Sequence, residues 1–451
     1  VSPDTAAANR ATPLRQAALL AAVTAVVAVG QHWYGNRHHF FDLGIYYAAM
    51  RWWSGGHPLY DFAQPDATMG SLGFTYPPFG ALVLRPIAYF PLGAVQIGFS
   101  AVSVLLFALL IWWLIRPVAE RHGWPRWLTF GLALVLGSGL ETVRDTFTLG
   151  QINFLLFALI GLDLLVLLPR RSRFVGVGIG LATAIKLVPG IFIVYLLVCR
   201  RWKAAAVATA TTVAATLVGF AVAPHDTWIY FTQQMLGSQG VGQIEYAYNQ
   251  SLLGMLARLE GTSHPNLVIW VLLVVPVLVY GLWRAGRAAA AGDEVAGMTL
   301  AGCVGSLVSP LTWSHHIISY VPALVILVDS ALPPAGVSGP VLSGLRGRRG
   351  MLALAAVIYA TVTFSVLSLW EFNLHEQHGI VGFVLGNWFL WLLLAMLPLL
   401  PIRRVPRQVA VNTYGGSPSS VSAASTESTR SARSTALRES TAQRSVSSGG
   451  V

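Results

Sequence analysis

Apolar residues run through this chain in stretches too long and too uniform for the two-sided faces of a soluble fold. Crossing a bilayer takes roughly 20 apolar residues at 1.5 Å rise each. Runs of that kind occur near 14–31, 94–115, 127–140, 152–168, 204–223, 266–283, 295–311, 317–332, 351–370 and 383–401. Residues 174–199 differ. This apolar run is broken at Lys186-Leu187-Val188-Pro189-Gly190, with Arg170, Arg171 and Arg173 before it and Arg200, Arg201 and Lys203 after it. Basic clusters at both ends place both ends on the cytoplasmic face, so the segment reads as a helical hairpin turning at the Pro-Gly. Irregular backbone at membrane depth is tolerated only inside protein or beside a wet cavity, which puts the hairpin in the interior. The pattern predicts an all-α polytopic integral membrane protein of about 12 transmembrane segments with both termini cytoplasmic.

Polar residues sort by side. Of the 29 Lys and Arg, all but Arg37, Arg51, Arg85, Arg144, Lys186 and Arg258 fall in segments assigned to the cytoplasm, the asymmetry that sets orientation. Among the 11 histidines, only His122 is cytoplasmic. Asp42, Asp61, Asp66, Glu141, Asp145, Asp226, Glu245, Glu260, Glu371 and Glu376 also fall outside. Candidate chemistry therefore belongs to the outer face, where the loops 32–93 and 224–265 carry the length. In the first loop, the aromatic stretch Phe40 to Trp53 suits a helix lying in the interface, and 79–90 predicts a second such element after Tyr76-Pro77-Pro78. Three regions follow: a short cytoplasmic N-terminus (1–13), a transmembrane body (14–401), and a cytoplasmic tail (402–451), basic and then Ser/Thr-rich. That tail has too few large apolar residues to fold. The first apolar run continues into a loop without a small-residue cleavage site, so no cleaved signal peptide is expected.

Composition narrows the function class. Hydrophobic residues make up 55% and charged residues 10%, with a mean hydropathy of +0.63, against about 25% charged in soluble domains. The net charge of +11 follows from the positive-inside bias and calls for no nucleic acid partner. Cys199 and Cys303 both sit in apolar runs, leaving neither a disulfide framework nor a Cys-rich metal site. The sequence has no Walker A loop, dinucleotide fingerprint or HExxH motif, so no cofactor or metal is expected.

Three groups of residues invite a chemical reading. Asp42 opens the interfacial helix, where an ionisable group is a functional candidate; it reads equally as a helix N-cap. Asp61, in Pro58-Leu59-Tyr60-Asp61, reads as a turn residue. His315 and His316 close Ser309-Pro310-Leu311-Thr312-Trp313-Ser314-His315-His316 and suit a metal or a phosphate. Adjacent helical positions point about 100° apart, so both rarely serve one metal, and interfacial polar residues are the plainer alternative. The third group is cationic. Arg144 precedes Gly150-Gln151-Ile152-Asn153, and Lys186 sits at the hairpin break in the outer half of the bilayer. A buried ammonium needs an anion, which a lipid phosphate, Glu141 or Asp145 would supply. Finally, Tyr246-Ala247-Tyr248-Asn249-Gln250-Ser251 offers aromatic faces and amides suited to sugar hydroxyls, and Asn249-Gln250-Ser251 also fits the N-glycosylation pattern.

An ordered set of stretches carries a family resemblance: Phe41-Asp42-Leu43 to Leu59-Tyr60, Phe74-Thr75-Tyr76-Pro77-Pro78, Gly150-Gln151-Ile152-Asn153, Ile185-Lys186-Leu187-Val188-Pro189, Asn249-Gln250-Ser251-Leu252, and Ser309-Pro310 through His315-His316. Together they resemble the actinobacterial integral-membrane mannosyltransferases of glycosyltransferase family 87, which have the GT-C fold. The resemblance implies a polyprenyl-phosphate-mannose donor and no nucleotide sugar. It also implies a phosphatidylinositol mannoside glycolipid acceptor, mannosylated in α-(1→2) linkage by an inverting single displacement on the extracytoplasmic side of the plasma membrane. An essential aspartate of the first outer loop falls on Asp42. In that frame His315 or His316 orients the acceptor or neutralises phosphate, and Lys186 and Arg144 hold the donor phosphate. Gln151, Asn249, Gln250 and Tyr246 are then substrate-binding. Mannosyl or arabinofuranosyl transfer onto lipomannan or lipoarabinomannan is the enzymatic alternative; a lipid or sugar transporter or flippase is the other. Transporters place polar groups near the midplane, whereas here they gather in outer loops, which favours a transferase. The Ser/Thr-rich tail is not part of the family pattern.

Overall fold

A computed structural model describes residues 3–35, 38–66, 70–235, 243–332, 347–369 and 379–403, without the side chains of 3–11 and 34. The Ser/Thr-rich tail, Arg37, Glu371 and Glu376 lie outside the described residues. The helices in chain order are α1 (Pro3–Tyr34), α2 (Phe41–Ser54), α3 (Pro78–Leu84), α4 (Leu92–His122), α5 (Arg126–Gly139), α6 (Glu141–Leu149), α7 (Asn153–Gly161), α8 (Val177–Ile185), α9 (Ile191–Val198), α10 (Trp202–Val222), α11 (Pro224–Ile229), α12 (Leu252–Glu260), α13 (Leu267–Ala290), α14 (Glu294–Val308), α15 (Tyr320–Ala331), α16 (Arg348–Thr363), α17 (Val366–Leu369), α18 (Ile380–Gly386) and α19 (Trp388–Leu399). Among the described residues an antiparallel ribbon departs from the all-α expectation: β1 (Ala63–Asp66) pairs with β2 (Gly70–Gly73) in the loop between α2 and α3.

Among the described residues four helices are long and apolar enough to cross a membrane: the Thr12–Trp33 part of α1, α4, α10 and α13. The count rises to six if the bent pairs α6 with 153–167 (119°) and α18 with α19 (69°) are each one span. These long helices turn Val26, Leu105, Leu217 and Leu272 outward, each exposed. An apolar surface of that extent is stable only in a hydrocarbon surround. The chain is thus a largely helical membrane protein, but the count of about 12 segments is not reproduced. The reason lies in what a hydropathy run measures. The run at 295–311 becomes α14, a 15-residue helix that falls short of span length and is buried among other helices along almost all of it. The run at 351–370 ends as a helix at Thr363, where Phe364 and Ser365 break it before α17.

The broken segment behaves as the basic flanks predicted. Asp163, on the helical turn after α7, accepts from the Ile179 backbone N–H at 2.7 Å and secures the start of α8. Helix α8 then packs along α10, with Thr212 Oγ1 donating to the Gly180 carbonyl at 3.2 Å. Lys186 leaves the helix in an extended conformation (φ −150°, ψ 128°). After a single turn over Val188–Gly190, α9 comes back to Arg201, just before α10 begins.

Helix direction sorts the polar groups to two ends. At one end the C-termini of α4 and α15 meet the α13–α14 turn and Arg403. Asp329, fully buried, accepts from Arg121, from His122 at 2.9 Å and from Arg403 at 2.6 Å. Arg403 also grips Asp293 at 2.5 and 2.8 Å, and Arg201 binds Glu294 through two bonds of 2.7 and 2.6 Å. The opposite end carries α2, α3, α6 and the turn before α15. Removing one partner of a buried ion cluster strands the others, at a cost of about 3–5 kcal/mol. Asp329→Ala is therefore expected to lower the unfolding midpoint in detergent sharply while the folded fraction keeps its kinetics for the lipid donor; an unchanged melting curve would remove the cluster from the account of stability.

Candidate active site

Helix α2 starts from Phe40, which takes the cap position with a left-handed backbone (φ 58°) and no side-chain bond. Asp42 consequently stands inside the first turn, relieved of the capping role its position suggested. Its carboxylate accepts from Gln151 Nε2 at 2.5 Å and lies 3.9 Å from His315 Nε2. Gln151 reaches it because Gly150 ends α6 in the left-handed region (φ +73°), pressed against α2 so tightly that a Cβ there would sit 2.5 Å from Leu43 Cβ. Only glycine fits.

Tyr76 joins this half of the site to the other. Pro77 holds an extended backbone and Pro78 sits at the start of α3, fixing where Tyr76 stands. Gly80 passes so close to the Ile185 carbonyl that a Cβ would come within 2.5 Å, which packs α3 onto the end of α8. Tyr76 then donates to Gln151 Oε1 at 3.0 Å, meets Tyr46 Oη at 2.5 Å, and accepts from Lys186 Nζ at 3.4 Å. The ammonium also lies 4.9 Å from the Tyr76 ring centre, within cation–π range.

Lys186 Nζ is 3.0 Å from His316 Nε2. The other ring nitrogen of His316, Nδ1, accepts the Trp313 backbone N–H at 3.3 Å. With Nδ1 accepting, the imidazole proton sits on Nε2, and an ammonium and an N–H 3.0 Å apart repel each other unless an anion lies between them. Converging donors of this kind make a receptor for an anion. Asp145, offered by the sequence as a partner for Lys186, instead lies beside Arg144 (3.8 Å) and His38 (3.6 Å). From Lys186 and His316 a groove runs between helices, lined by Leu156, Phe157 and Ile160 of α7, Ile191 and Phe192 of α9 and Gly305 of α14.

The adjacent histidines divide rather than cooperate. Their rings stand nearly perpendicular (86°), with centres 4.6 Å apart; His315 faces Asp42 and His316 faces Lys186. The His315 carbonyl is held by Asn153 Nδ2 at 2.8 Å and Thr146 Oγ1 at 3.2 Å, while its buried Nε2 has no hydrogen-bond partner among the described residues. Burial, reinforced by the Lys186 charge, holds both imidazoles well below their ordinary pKa, and both are neutral near pH 7. Burial also pushes the Asp42 carboxyl up to about 6, against the Gln151 hydrogen bond and the charges of Lys186 and His38, which hold it down. Among the described residues no group of three or more His, Cys, Asp or Glu gathers as metal ligands would.

The other candidates lie elsewhere. Arg144 donates to the Gly139 and Thr363 carbonyls at 3.4 and 3.3 Å and does not line the groove. Asn249 and Gln250 are fully buried. Asn249 Oδ1 accepts from the Thr312 N–H at 3.0 Å, Gln250 donates to the Gly386 carbonyl at 2.8 Å, and Gln250 Oε1 takes the Leu390 N–H at 3.1 Å. They tie the stretch before α12 to the histidine turn and to the α18–α19 bend; an amide so enclosed cannot accept a glycan. Tyr246 stacks on Tyr248 (5.6 Å) and meets Trp313 edge-on (6.1 Å). Sequence reasoning missed Tyr46 and Tyr76 as site residues, although the Tyr76-Pro77-Pro78 stretch was the available signal.

A sequence profile of Glycosyltransferase family 87 matches residues 74–310. The segment includes Tyr76, Gln151 and Lys186, while Asp42 and the two histidines flank it. The chain is 30% identical over 76% of its length to the polyprenol-phosphate-mannose-dependent alpha-(1-2)-phosphatidylinositol mannoside mannosyltransferase of Mycobacterium tuberculosis, covering 79% of that protein. It is 32% identical over 68% of its length to the protein of the same name in Mycolicibacterium smegmatis, covering 74% of it. With the corresponding pentamannoside mannosyltransferase of Mycolicibacterium smegmatis it shares 30% identity over 74% of the chain and 80% of the relative. No solved structure matches.

Proposed function

Because the chain belongs to glycosyltransferase family 87, we propose that it moves mannose from polyprenyl-phosphate-mannose to a phosphatidylinositol mannoside in α-(1→2) linkage. The donors named in its relatives are of this class. One observation carries the reading: a carboxylate (Asp42) and an anion receptor (Lys186 with His316) flank Tyr76 at the head of an apolar groove. A lipid phosphate would present its anion to the receptor and its apolar tail to the groove. Charge-assisted bonds to phosphate are strongest where water is scarce.

The chemistry is an inverting single displacement. The acceptor hydroxyl attacks the anomeric carbon as its proton passes to Asp42, and the bond from that carbon to the phosphate oxygen breaks. Polyprenyl phosphate leaves with its charge held by Lys186 and His316. A phosphate leaving group needs electrostatic support rather than a strong acid. His315 Nε2, which has no hydrogen-bond partner among the described residues and faces Asp42, orients the acceptor. Labelled polyprenyl-phosphate-mannose supplied to purified protein with phosphatidylinositol mannosides of defined length tests this directly. A mannolipid one residue longer, with a 1→2 linkage, is expected; absence of transfer to every such acceptor would overturn the assignment.

The site end of the GT-C body (14–401) is placed on the extracytoplasmic face of the plasma membrane, with the Asp329–Arg403 end in the cytoplasm. This rests on the basic residues gathered at the latter end. Asn249 is too buried to report sidedness, but Asp61 and Arg126 are exposed. In a Cys199→Ser background, Asp61→Cys is expected to react with a membrane-impermeant thiol reagent in intact cells and Arg126→Cys only after lysis. The reverse pattern would invert the orientation.

A further inference from the structure

We propose that Gln151 is a positioning residue: the Tyr76 hydroxyl locks its amide in one orientation, so that it fixes Asp42 through Oδ2 and leaves Oδ1 to take the acceptor's proton. This rests on Asp42 being the base, and it removes Gln151 from the substrate-binding set.

Hydrogen-bond inventory determines the direction of every proton in the chain of contacts. An ionised carboxylate only accepts. Gln151 must therefore turn its NH₂ toward Asp42, at 2.5 Å, which turns its carbonyl toward Tyr76, at 3.0 Å. Tyr76 has one proton and spends it there. The Tyr76 oxygen then receives from Tyr46, at 2.5 Å, and from Lys186, at 3.4 Å. Donors thus run from Tyr46 through Tyr76 and Gln151 to Asp42 without a reversal. Tyr46, Tyr76 and Gln151 are all buried, so water does not offer the amide an alternative. A flipped Gln151 would press its carbonyl oxygen against the carboxylate, leaving two buried acceptors facing each other. The backbone is equally constrained: Gln151 N–H donates to the Thr146 carbonyl at 2.9 Å in the turn that Gly150 allows.

Two consequences follow for the reaction. With Oδ2 occupied, the free oxygen defines the direction from which the acceptor hydroxyl arrives. The bond also favours the ionised carboxylate, so losing it raises the pH at which Asp42 becomes competent.

Gln151→Met keeps the side-chain length and removes both hydrogen bonds; Tyr76→Phe keeps the ring and removes only the orienting proton. Expected for Gln151→Met is a kcat lower by about 10- to 100-fold, with an unchanged apparent KM for polyprenyl-phosphate-mannose. The acid limb of its pH–rate profile should move up by about one unit. Tyr76→Phe should move kcat and the acid limb the same way by less, and it decides the question if Gln151→Met does not fold. A wild-type kcat with an unmoved acid limb overturns the proposal, as does a raised donor KM with an unmoved limb, which marks a binding role. Asp42→Asn measured alongside separates the layers. If Asp42→Asn is inactive and Gln151→Met is unaffected, only the positioning role fails; if Asp42→Asn is active, the base assignment fails first.

Discussion

Purified Asp42→Asn is expected to fold normally and to lose about 10²- to 10⁴-fold in rate, the range typical of a missing general base. The substitution is nearly isosteric, and Asp42 carries no capping bond for the helix to lose, so stability and catalysis separate cleanly. Asp61→Asn is the matched control: Asp61 is exposed on a short turn, and its variant should behave almost as wild type. The pH dependence gives a second reading of the same group. Burial pushes the Asp42 carboxyl up to about 6, and only the ionised form accepts a proton. The rate should therefore be fully developed above that value and fall as pH drops through it. Retention of more than roughly a tenth of the wild-type rate by Asp42→Asn would fall short of the base range and return Asp42 to a structural role.

Lys186→Met should raise the apparent KM for the lipid-phosphate donor about 10- to 100-fold, since a hydrogen bond to a charged group contributes about 1.5–3 kcal/mol and each 1.4 kcal/mol is tenfold. Methionine fills the space of the aliphatic stem, so packing against Tyr76 survives and the protein stays folded. His316 remains to give residual binding. Arg144→Met provides the contrast. Its guanidinium serves the Gly139 and Thr363 carbonyls, so the variant should melt earlier with donor affinity intact. Titration with polyprenyl-phosphate-mannose, read beside a melting curve, distinguishes the two. An unchanged donor KM in Lys186→Met would take the phosphate away from the Lys186–His316 receptor.

Sequence alone was enough for the class of the molecule and for the segregation of its polar residues. Apolar run length, basic flanks and loop length are local properties, and they located the helix at 41–54, the element after Tyr76-Pro77-Pro78 and the hairpin broken at Lys186. Asp42 was visible too, because a lone carboxylate at an aromatic interfacial helix stands out, although capping explained it equally well until Phe40 proved to hold that position. Tertiary structure alone decided the rest. A run of apolar residues does not show how much of it one helix will carry, and the runs at 295–311 and 317–332 become the shorter helices α14 and α15. A polar side chain likewise takes its role from its partner, and these partners are remote in sequence. Asp42 and Gln151 are 109 residues apart, Lys186 and His316 130. Two neighbouring histidines were indistinguishable on paper; the turn of their rings sends one to the carboxylate and the other to the ammonium. Asn249 and Gln250 looked like sugar ligands because amides suit hydroxyls, but an amide equally satisfies backbone groups, and burial had already committed both to the carbonyls and N–H groups of the histidine turn and the α18–α19 bend. Hydrogen-bond capacity is written in residue type, whereas the group that uses it is chosen by packing.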